Sequence, residues 1–445
     1  MEELKDKKII ILGFGREGQD TFFFLRKLWP KKKLALADKL DLEKLDKKAR
    51  EIIKKEKKKS FLKLYLGKNY LKALKKYDIV IKSPGVPAHL PEIEKAFKEK
   101  KVTSQLELFL DNFKGKMIGI TGTKGKSTAA FLVYQLLKKY GLKVKLAGNI
   151  GKPMLSLLEK AKSGDIFVCE LSSHQLYRLK KSPQIAVLLN IYPEHLDYYK
   201  NLKEYIKAKS NIAIHQKKGD YLIYNPKDKK IKEIARKSKA KKIALIESGK
   251  SVEQLKKIAD ISFGPQVLGL LIAVAKIFKI PFALVEKTVK EAKPLPHRLE
   301  CLGIFKGIKF YNDSLSTIPE STIRAIDVLG KDVETIFLGG FDRGLSFKKL
   351  AKKIAKSKIK NLIFLPQSGE RIFKEIKKVY PEKKFKELKI FFVKNLKDGV
   401  GLAFSRTKKG KICLLSCASP SFGLFKNYEE RGNLFKKYIK AYGKK

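Results

Sequence analysis

The sequence predicts an α/β protein of about three domains built on parallel sheets, and two observations carry that prediction. Short apolar, β-branched runs recur from end to end: KIIILGFG, KLALAD, DIVIKSPG, KMIGITGT, DIFVCELSS, IAVLLNI, DYLIYN, GIKFYNDS, VETIFLGG, KNLIFLPQ, KIFFVK and KICLLSC. They alternate with amphipathic stretches of helix length, the spacing that parallel strands need for their crossovers. The length of 445 residues, at about 150 residues per domain, allows about three cores. Most of the runs end in Gly, Ser, Asp or Asn, so the chemistry is expected in the loops beyond the strands' carboxyl ends.

Each predicted domain has its own opening signal. Residues 1–111 carry a Gly-rich turn and close after SQLELFL. Residues 112–296 open with the strand MIGIT, and residues 297–445 follow the proline-punctuated KPLPHR, where proline breaks the last central helix. Apolar residues at 44% and charged residues at 33% are the balance of a folded globular chain. Met1 to Lys8 lack the apolar core of a secretory signal, and the longest apolar run, Val267 to Ala275, stops at Lys276. That run is far short of the roughly 20 residues a membrane span needs, so a cytoplasmic protein without membrane insertion is expected. Cys169, Cys301, Cys413 and Cys417 have no zinc or redox spacing and read as ordinary thiols.

Charge is the unusual feature. The chain has 100 Lys and Arg against 45 Asp and Glu, a formal net charge of +55. Such an excess raises a nucleic-acid partner, because neutralising phosphates releases counterions. Only 11 of the 100 are Arg, the residue whose fork reads bases, and the lysines are spread over nearly every helix-like segment. The excess therefore reads as solvated surface, with no specific nucleic acid expected. A lysine-rich nucleic-acid binder stays as the alternative from another class, marked by binding that survives above physiological salt.

MIGITGTKGKST, residues 117–128, runs from strand through a Gly-rich turn into the helix-like AAFLVYQLLKK. Backbone amides of Gly122, Thr123, Lys124 and Gly125 can converge there on phosphate oxygens at a helix N-terminus. Lys126 adds a cation, and Ser127 or Thr128 a hydroxyl for Mg²⁺. Ile120 stands where the usual spacing has its first glycine. Gly13, Gly15 and Gly18 in GFGREG form a second such turn, and Asp38 ends the next strand about 20 residues on, placed for a sugar or base. Two phosphate turns in separate domains imply two different nucleotides. Glu170, at the end of IFVCE, is the strand-end carboxylate expected to share Mg²⁺ with a phosphate loop. His195, in the loop YPEHLD, is one of five histidines and by itself reads more readily as a structural hydrogen-bonding residue than as a ligand.

Together these segments resemble the Mur ligases, ATP-dependent amide-forming enzymes of peptidoglycan synthesis. The resemblance spans essentially the whole chain: TGTKGKST, ELSSHQL, NIYPEHLDYY, PHRLE, YNDSLSTIPEST, FLGGFDRG and LLSCASPSFGLFKNYEERG stand in the family's order. It is nearest to members that add glutamate to UDP-N-acetylmuramoyl-L-alanine. It implies a Rossmann-like N-terminal domain for UDP, a central P-loop ATPase and a Rossmann-like C-terminal domain for the amino acid, acting as a monomer. By resemblance, Gly15, Arg16 and Asp38 line the UDP site with Asn149 and His195 nearby. Lys126 holds ATP phosphates, Ser127 and Glu170 one Mg²⁺, and His195 a second. Lys209, in YIKAKS, matches a lysine that becomes a metal ligand once carbamylated. Arg298 and Asp313 contact ATP, while Thr317, Arg343, Ser421 and Tyr428 face glutamate.

The implied reaction transfers the γ-phosphoryl of ATP to the alanine carboxylate, and the amine of D-glutamate then attacks the acyl phosphate. Catalytic roles fall to Lys126, His195 and Lys209. The chain departs from the family at Leu315, where a lysine is common, at Pro420, and at Glu17, an anion beside an expected diphosphate. These departures keep an L-glutamate ligase as the alternative within the family.

Overall fold

The computed structural model describes residues 1–57, 60–195 and 198–444. Residues 196 and 197 of the NIYPEHLDYY segment lie outside that description. Three sheets organise the chain. The first contains β1 (Ile9–Leu12), β2 (Leu34–Asp38), β3 (Leu62–Leu66), β4 (Ile79–Lys82) and β5 (Val102–Thr103), in the order β3-β2-β1-β4-β5 and parallel throughout. All four residues of β1 are fully buried, which is why a central parallel strand reads as an unbroken apolar run. The chain builds β2 and β3 on one side of β1 and β4 and β5 on the other. That reversal opens a crevice at the carboxyl ends of β1 and β4.

The second sheet holds β6 (Lys116–Thr121), β7 (Val144–Gly148), β8 (Ile166–Glu170), β9 (Ile185–Leu188), β10 (Tyr221–Tyr224) and β11 (Lys241–Ala244). Its order is β11-β10-β9-β6-β8-β7, again all parallel, and the reversal falls between β6 and β9. The helix Lys126–Lys139 buries Leu132, Val133, Leu136 and Leu137 over this sheet, and the helix Pro265–Phe278 packs on that helix. The third sheet holds β12 (Glu300–Phe305), β13 (Ile308–Asn312), β14 (Val333–Gly340), β15 (Asn361–Gln367), β16 (Lys389–Phe392) and β17 (Ile412–Leu415), in the order β12-β13-β17-β14-β15-β16. Here the parallel expectation fails at one place: β12 and β13 form an antiparallel hairpin.

The chain divides into two compact units, Met1–Leu255 with Pro265–Val289, and Lys256–Gly264 with Lys290–Lys445. The first unit contains both of the first two sheets. Phe109 and Phe113, from the end of the first region, pack on Phe167 of β8 with ring centroids 5.0 and 4.7 Å away. One apolar cluster therefore runs beneath both sheets. The cysteines are all free thiols. Among the described residues no helix is long and apolar enough to cross a membrane.

Gly148 shows how tightly the second sheet is built around its chemistry. It ends β7 at φ +94°, and a Cβ there would stand 2.3 Å from the carbonyl oxygen of Glu170. Gly148→Ala is expected to lower stability by about 2 kcal/mol or more, because strain and collision act together. Urea unfolding followed by circular dichroism checks this, and an unchanged midpoint would contradict the packing described.

Candidate active site

Strand β6 delivers the chain into the turn Gly122–Gly125, and the helix Lys126–Lys139 begins immediately beyond it. Gly125 caps that helix at φ +84°, a left-handed geometry natural to glycine. The turn is fastened from the end of β9. Thr123 N–H donates to Asn190 O at 2.8 Å, and Lys124 N–H to Asn190 Oδ1 at 2.8 Å. Asn190 Nδ2 donates in return to Lys124 O at 3.0 Å and to Gln266 Oε1 at 3.0 Å. The Thr123 hydroxyl lies 2.9 Å from that of Tyr205. Lys126 Nζ folds back to Thr123 O at 2.9 Å, so its ammonium sits over the turn. The expectation that all four turn amides converge on phosphate therefore fails for Thr123 and Lys124, whose N–H groups are given to Asn190; the helix N-terminus with Lys126 across it remains suited to an anion.

Buried charges surround the cradle. Lys209, on the helix Leu202–Ser210, is 1% exposed and donates to Gly122 O at 2.8 Å and Thr121 Oγ1 at 3.3 Å. Burial, with the field of Lys126 added, holds its pKa well below the usual lysine value, against the pull of Glu194 and Glu170. Lys124 Nζ pairs with Glu194 Oε1 at 3.0 Å. Burial works against the Glu194 carboxylate, yet Lys124, His195 and Lys126 together hold its pKa at about 2. His195 Nε2 stands 3.6 Å from the other Glu194 oxygen, on a residue with φ +59°. Glu170 accepts from Asn149 Nδ2 at 3.2 Å through one oxygen, while the other is buried with no hydrogen-bond partner.

The first turn meets this cluster through Asn149. Asn149 N–H donates to Glu170 O at 3.0 Å, and Asn149 O accepts from Arg16 Nη1 at 3.3 Å; Arg16 also donates to Gly151 O. The glycines there serve close approach, since a Cβ on Gly18 would lie 2.0 Å from Gly13 O. Ser83, beyond β4, donates to Gly13 O at 2.7 Å and closes the crevice floor. Gly15 is exposed at the start of the helix Arg16–Leu28. Asp38 accepts from Phe14 N–H at 2.7 Å and Leu40 N–H at 2.9 Å, so both its oxygens already support backbone turns.

The second unit gathers its own set beyond the carboxyl ends of β13, β14 and β17. Asp313 is buried and accepts from Ser416 Oγ at 2.8 Å, from Ser316 Oγ and from Leu299 N–H at 3.2 Å. Burial raises its pKa above the usual aspartate value, opposed by those hydrogen bonds and by Arg298. Arg298 precedes β12, and Thr317 is half-buried after β13. Arg343 lies 5.8 Å from the Phe422 ring centre and keeps a buried Nε with no hydrogen-bond partner. Ser421 is buried, and Tyr428 opens the last helix with its ring 6.0 Å from that of His297.

Lys126, Ser127, Thr128, Glu170, His195, Lys209, Asn149 and Arg16 thus fall in the first unit, and Arg298, Asp313, Thr317, Arg343, Ser421 and Tyr428 in the second. Several structural partners escaped the sequence reading. Asn190 and Glu194 had a signal, one standing just beyond a strand and the other preceding His195. Gln175, which donates to Glu17 Oε1 at 2.6 Å, and Arg431, fully buried against Ser314 and Ser419, had none. Among the described residues no three His, Cys, Asp or Glu side chains gather as a metal site. The bare, buried oxygen of Glu170 beside a phosphate cradle nevertheless suits Mg²⁺, which draws much of its coordination from phosphate and water.

Comparison with known proteins agrees with this geometry. The family model for the Mur ligase middle domain matches residues 120–285. The chain is 32% identical to the UDP-N-acetylmuramoylalanine--D-glutamate ligase of Acetivibrio thermocellus, over 99% of this chain and 97% of that protein. It is 33% identical to the ligase of the same name from Clostridium acetobutylicum, over 98% and 97%. The structure of the MurF ligase of Thermotoga maritima in complex with ADP covers 99% of this chain and 97% of its own, with a TM-score of 0.60 at 16% identity, a likeness of fold. Identity of about a third, sustained from end to end, establishes that the chain belongs to the Mur ligase family.

Proposed function

We propose that this protein is the ATP-dependent ligase that joins D-glutamate to UDP-N-acetylmuramoyl-L-alanine in peptidoglycan synthesis. The observation that carries the reading is the buried cluster at Gly122–Gly125, where a phosphate cradle, an unpartnered carboxylate oxygen and a desolvated amine converge. Residues 1–111 take the UDP part of the acceptor, 112–296 take ATP and 297–445 take glutamate. Whole-length similarity to D-glutamate ligases supports the choice of amino acid.

The chain's own groups account for the chemistry. A carboxylate is a poor acylating agent, so it is activated as an acyl phosphate, and the barrier is the meeting of two anions. The helix N-terminus after Gly125 and the Lys126 ammonium oppose that repulsion electrostatically. Mg²⁺ bound by Ser127, Glu170, His195 and carbamylated Lys209 would supply further positive charge against the phosphates and the acceptor carboxylate. Lys209 suits carbamylation because burial favours its neutral amine, the form that attacks carbon dioxide. The resulting anion would face Lys124 and Lys126, whose fields already act on that position. Arg16 and Asn149 hold the acceptor side of the crevice, with Gly15 and Asp38 shaping its turn. In the second unit Arg298 and Asp313 serve the nucleotide; Thr317, Ser421 and Tyr428 line the amino-acid side. The Arg343 guanidinium, with its unsatisfied Nε, offers a cation for a glutamate carboxylate.

Purified protein should release phosphate from ATP only when UDP-N-acetylmuramoyl-L-alanine and D-glutamate are both present. Equal release with L-glutamate, or release indifferent to either substrate, would sink the reading. Lys126→Ala should lower kcat by about 10²–10³-fold while the unfolding midpoint stays within error, because a loop ammonium opposing developing charge contributes little packing. Lys209→Ala should lose about 10²-fold in turnover, and millimolar short-chain carboxylates should restore part of it by replacing the carbamate. Full activity in Lys209→Ala would remove the carbamate from the mechanism.

A further inference from the structure

Of the described histidines only His297 is buried, at 5% exposure, and nothing above assigns it a role. It stands in PHRLE, immediately before Arg298 and at the entry to β12. Its backbone takes φ +65°, a left-handed conformation that side chains disfavour and that persists only where the surroundings impose it. The groups around it all belong to the second unit.

Those groups come from three segments. His297 N–H donates to Glu300 Oε2 at 2.9 Å, and its carbonyl accepts from Leu315 N–H at 3.1 Å, which ties it to the loop between Asp313 and Thr317. Asn312 Nδ2 lies 2.9 Å from the imidazole Nδ1, 3.1 Å from Glu300 Oε2 and 3.4 Å from Gly432 O, while Asn312 Oδ1 accepts from Ser314 N–H at 3.2 Å. With acceptors on that side of the amide, Nδ2 is the donor, so Nδ1 accepts and the ring proton sits on Nε2. The third segment is the last helix. The His297 ring lies 6.0 Å from that of Tyr428, and one turn on it occupies the space beside Gly432, where a Cβ would collide with Nδ1. Later turns of that helix are docked without His297, by Lys436 Nζ on Glu300 Oε1 at 2.6 Å and by the fully buried Phe435. Its first turn meets the loop through the His297 ring and through Ser314 Oγ, which donates to Tyr428 O at 2.8 Å.

The size and hydrogen-bonding pattern of one ring therefore set the spacing between three segments that carry ligand-facing groups. We propose that His297 is a positioning residue: it fixes Arg298 and Asp313, on the nucleotide side, relative to Thr317 and Tyr428, on the glutamate side, and so governs the affinity of the second unit for both ligands. It acts through these neighbours rather than on the reacting atoms, and the proposal rests on the roles given to those four residues under the proposed function. Losing the ring leaves the last helix docked by its later turns, so the effect is expected in binding constants before it is expected in stability.

The full chain is assayed with acceptor, ATP and D-glutamate varied in turn, with unfolding midpoints measured alongside. His297→Leu removes the accepting nitrogen and should raise KM for ATP and for D-glutamate about tenfold each, while KM for UDP-N-acetylmuramoyl-L-alanine, held by the first unit, moves less than about twofold. His297→Asn keeps an acceptor near the place of Nδ1 and tolerates the left-handed backbone, so it should bring both KM values back to within about threefold of the parent. Gly432→Ala presses on the same ring from the helix and should reproduce the His297→Leu pattern with the histidine in place. A purely structural role would lower the active fraction, and hence kcat, with every KM unchanged; that result overturns the proposal, as does a rise confined to one ligand or shared by the acceptor. If His297→Leu does not fold, Gly432→Ala decides, and parent KM values in that variant overturn it. A parent that ligates while its variants miss these expectations refutes the role of His297 alone; a parent that does not ligate removes the functional reading and this proposal with it.

Discussion

The first unit depends on solving one electrostatic problem, the burial of several charges around a single phosphate-sized space. Lys124, Lys126 and Lys209 crowd the turn at Gly122–Gly125, and Glu170 and Glu194 stand against them. Without the two carboxylates the cations would repel, and without the cations Glu194 would not stay ionised in so dry a place. The balance is incomplete by design of the geometry. Glu194 is fully used, paired with Lys124 and close to His195, whereas Glu170 keeps a bare oxygen. A site that were self-satisfied would gain nothing from an incoming cation or phosphate; this one does.

Sheet topology places that problem where it is soluble. Each of the first two sheets reverses its strand order once, and each reversal leaves a crevice at the strands' carboxyl ends, beside a Gly-rich turn. In the first sheet the gap lies above β1 and β4, floored by Ser83 and Gly13. In the second it lies above β6 and β9, fastened by Asn190. Asn149 ties the two together, since its backbone carbonyl receives Arg16 while its side chain positions Glu170. In the proposed reading, an acceptor held by the first turn would thereby be referenced to the carboxylate beside the second. The third sheet repeats the device with polar groups in place of a phosphate loop, gathering Asp313, Ser416 and Ser421 beyond β13 and β17.

How much of this was legible depended on position in the sheet. All twelve apolar runs read from the sequence became strands, and the five strands that escaped notice, β3, β5, β7, β11 and β12, are all edge strands. An edge strand buries less of its surface, so its sequence carries less apolar signal: β3 reads LKLYL, β11 reads KKIA, and β5 has two residues. β12 adds a bulge between Cys301 and Gly303 and pairs antiparallel, which no helix-length interval announces. At the site, the strand-loop-helix order around Lys126 was readable because chain neighbours create it. The contacts of Gln175 with Glu17 and of Arg431 with Ser314 join residues more than a hundred positions apart, and local pattern carries no trace of them. Asp38 was found by spacing, but its two oxygens turn out to brace the β1 turn as well as border the crevice.

Lysine illustrates the same limit most sharply. In a chain with a net charge of +55, residue type says nothing about which lysine matters, and Lys82 and Lys209 look like all the others. Solvent separates them. A surface ammonium keeps its hydration and costs little to hold beyond its share of the mutual repulsion, so scores of lysines can accumulate on helix faces. A buried one must be compensated, and its surroundings record how. Lys209 is compensated by Thr121, Gly122 and the field of two carboxylates; Lys82 has a carbonyl, a phenol and a carboxylate out of contact. That difference in compensation is made by neighbours brought from elsewhere in the chain, and nothing in the sequence announces it.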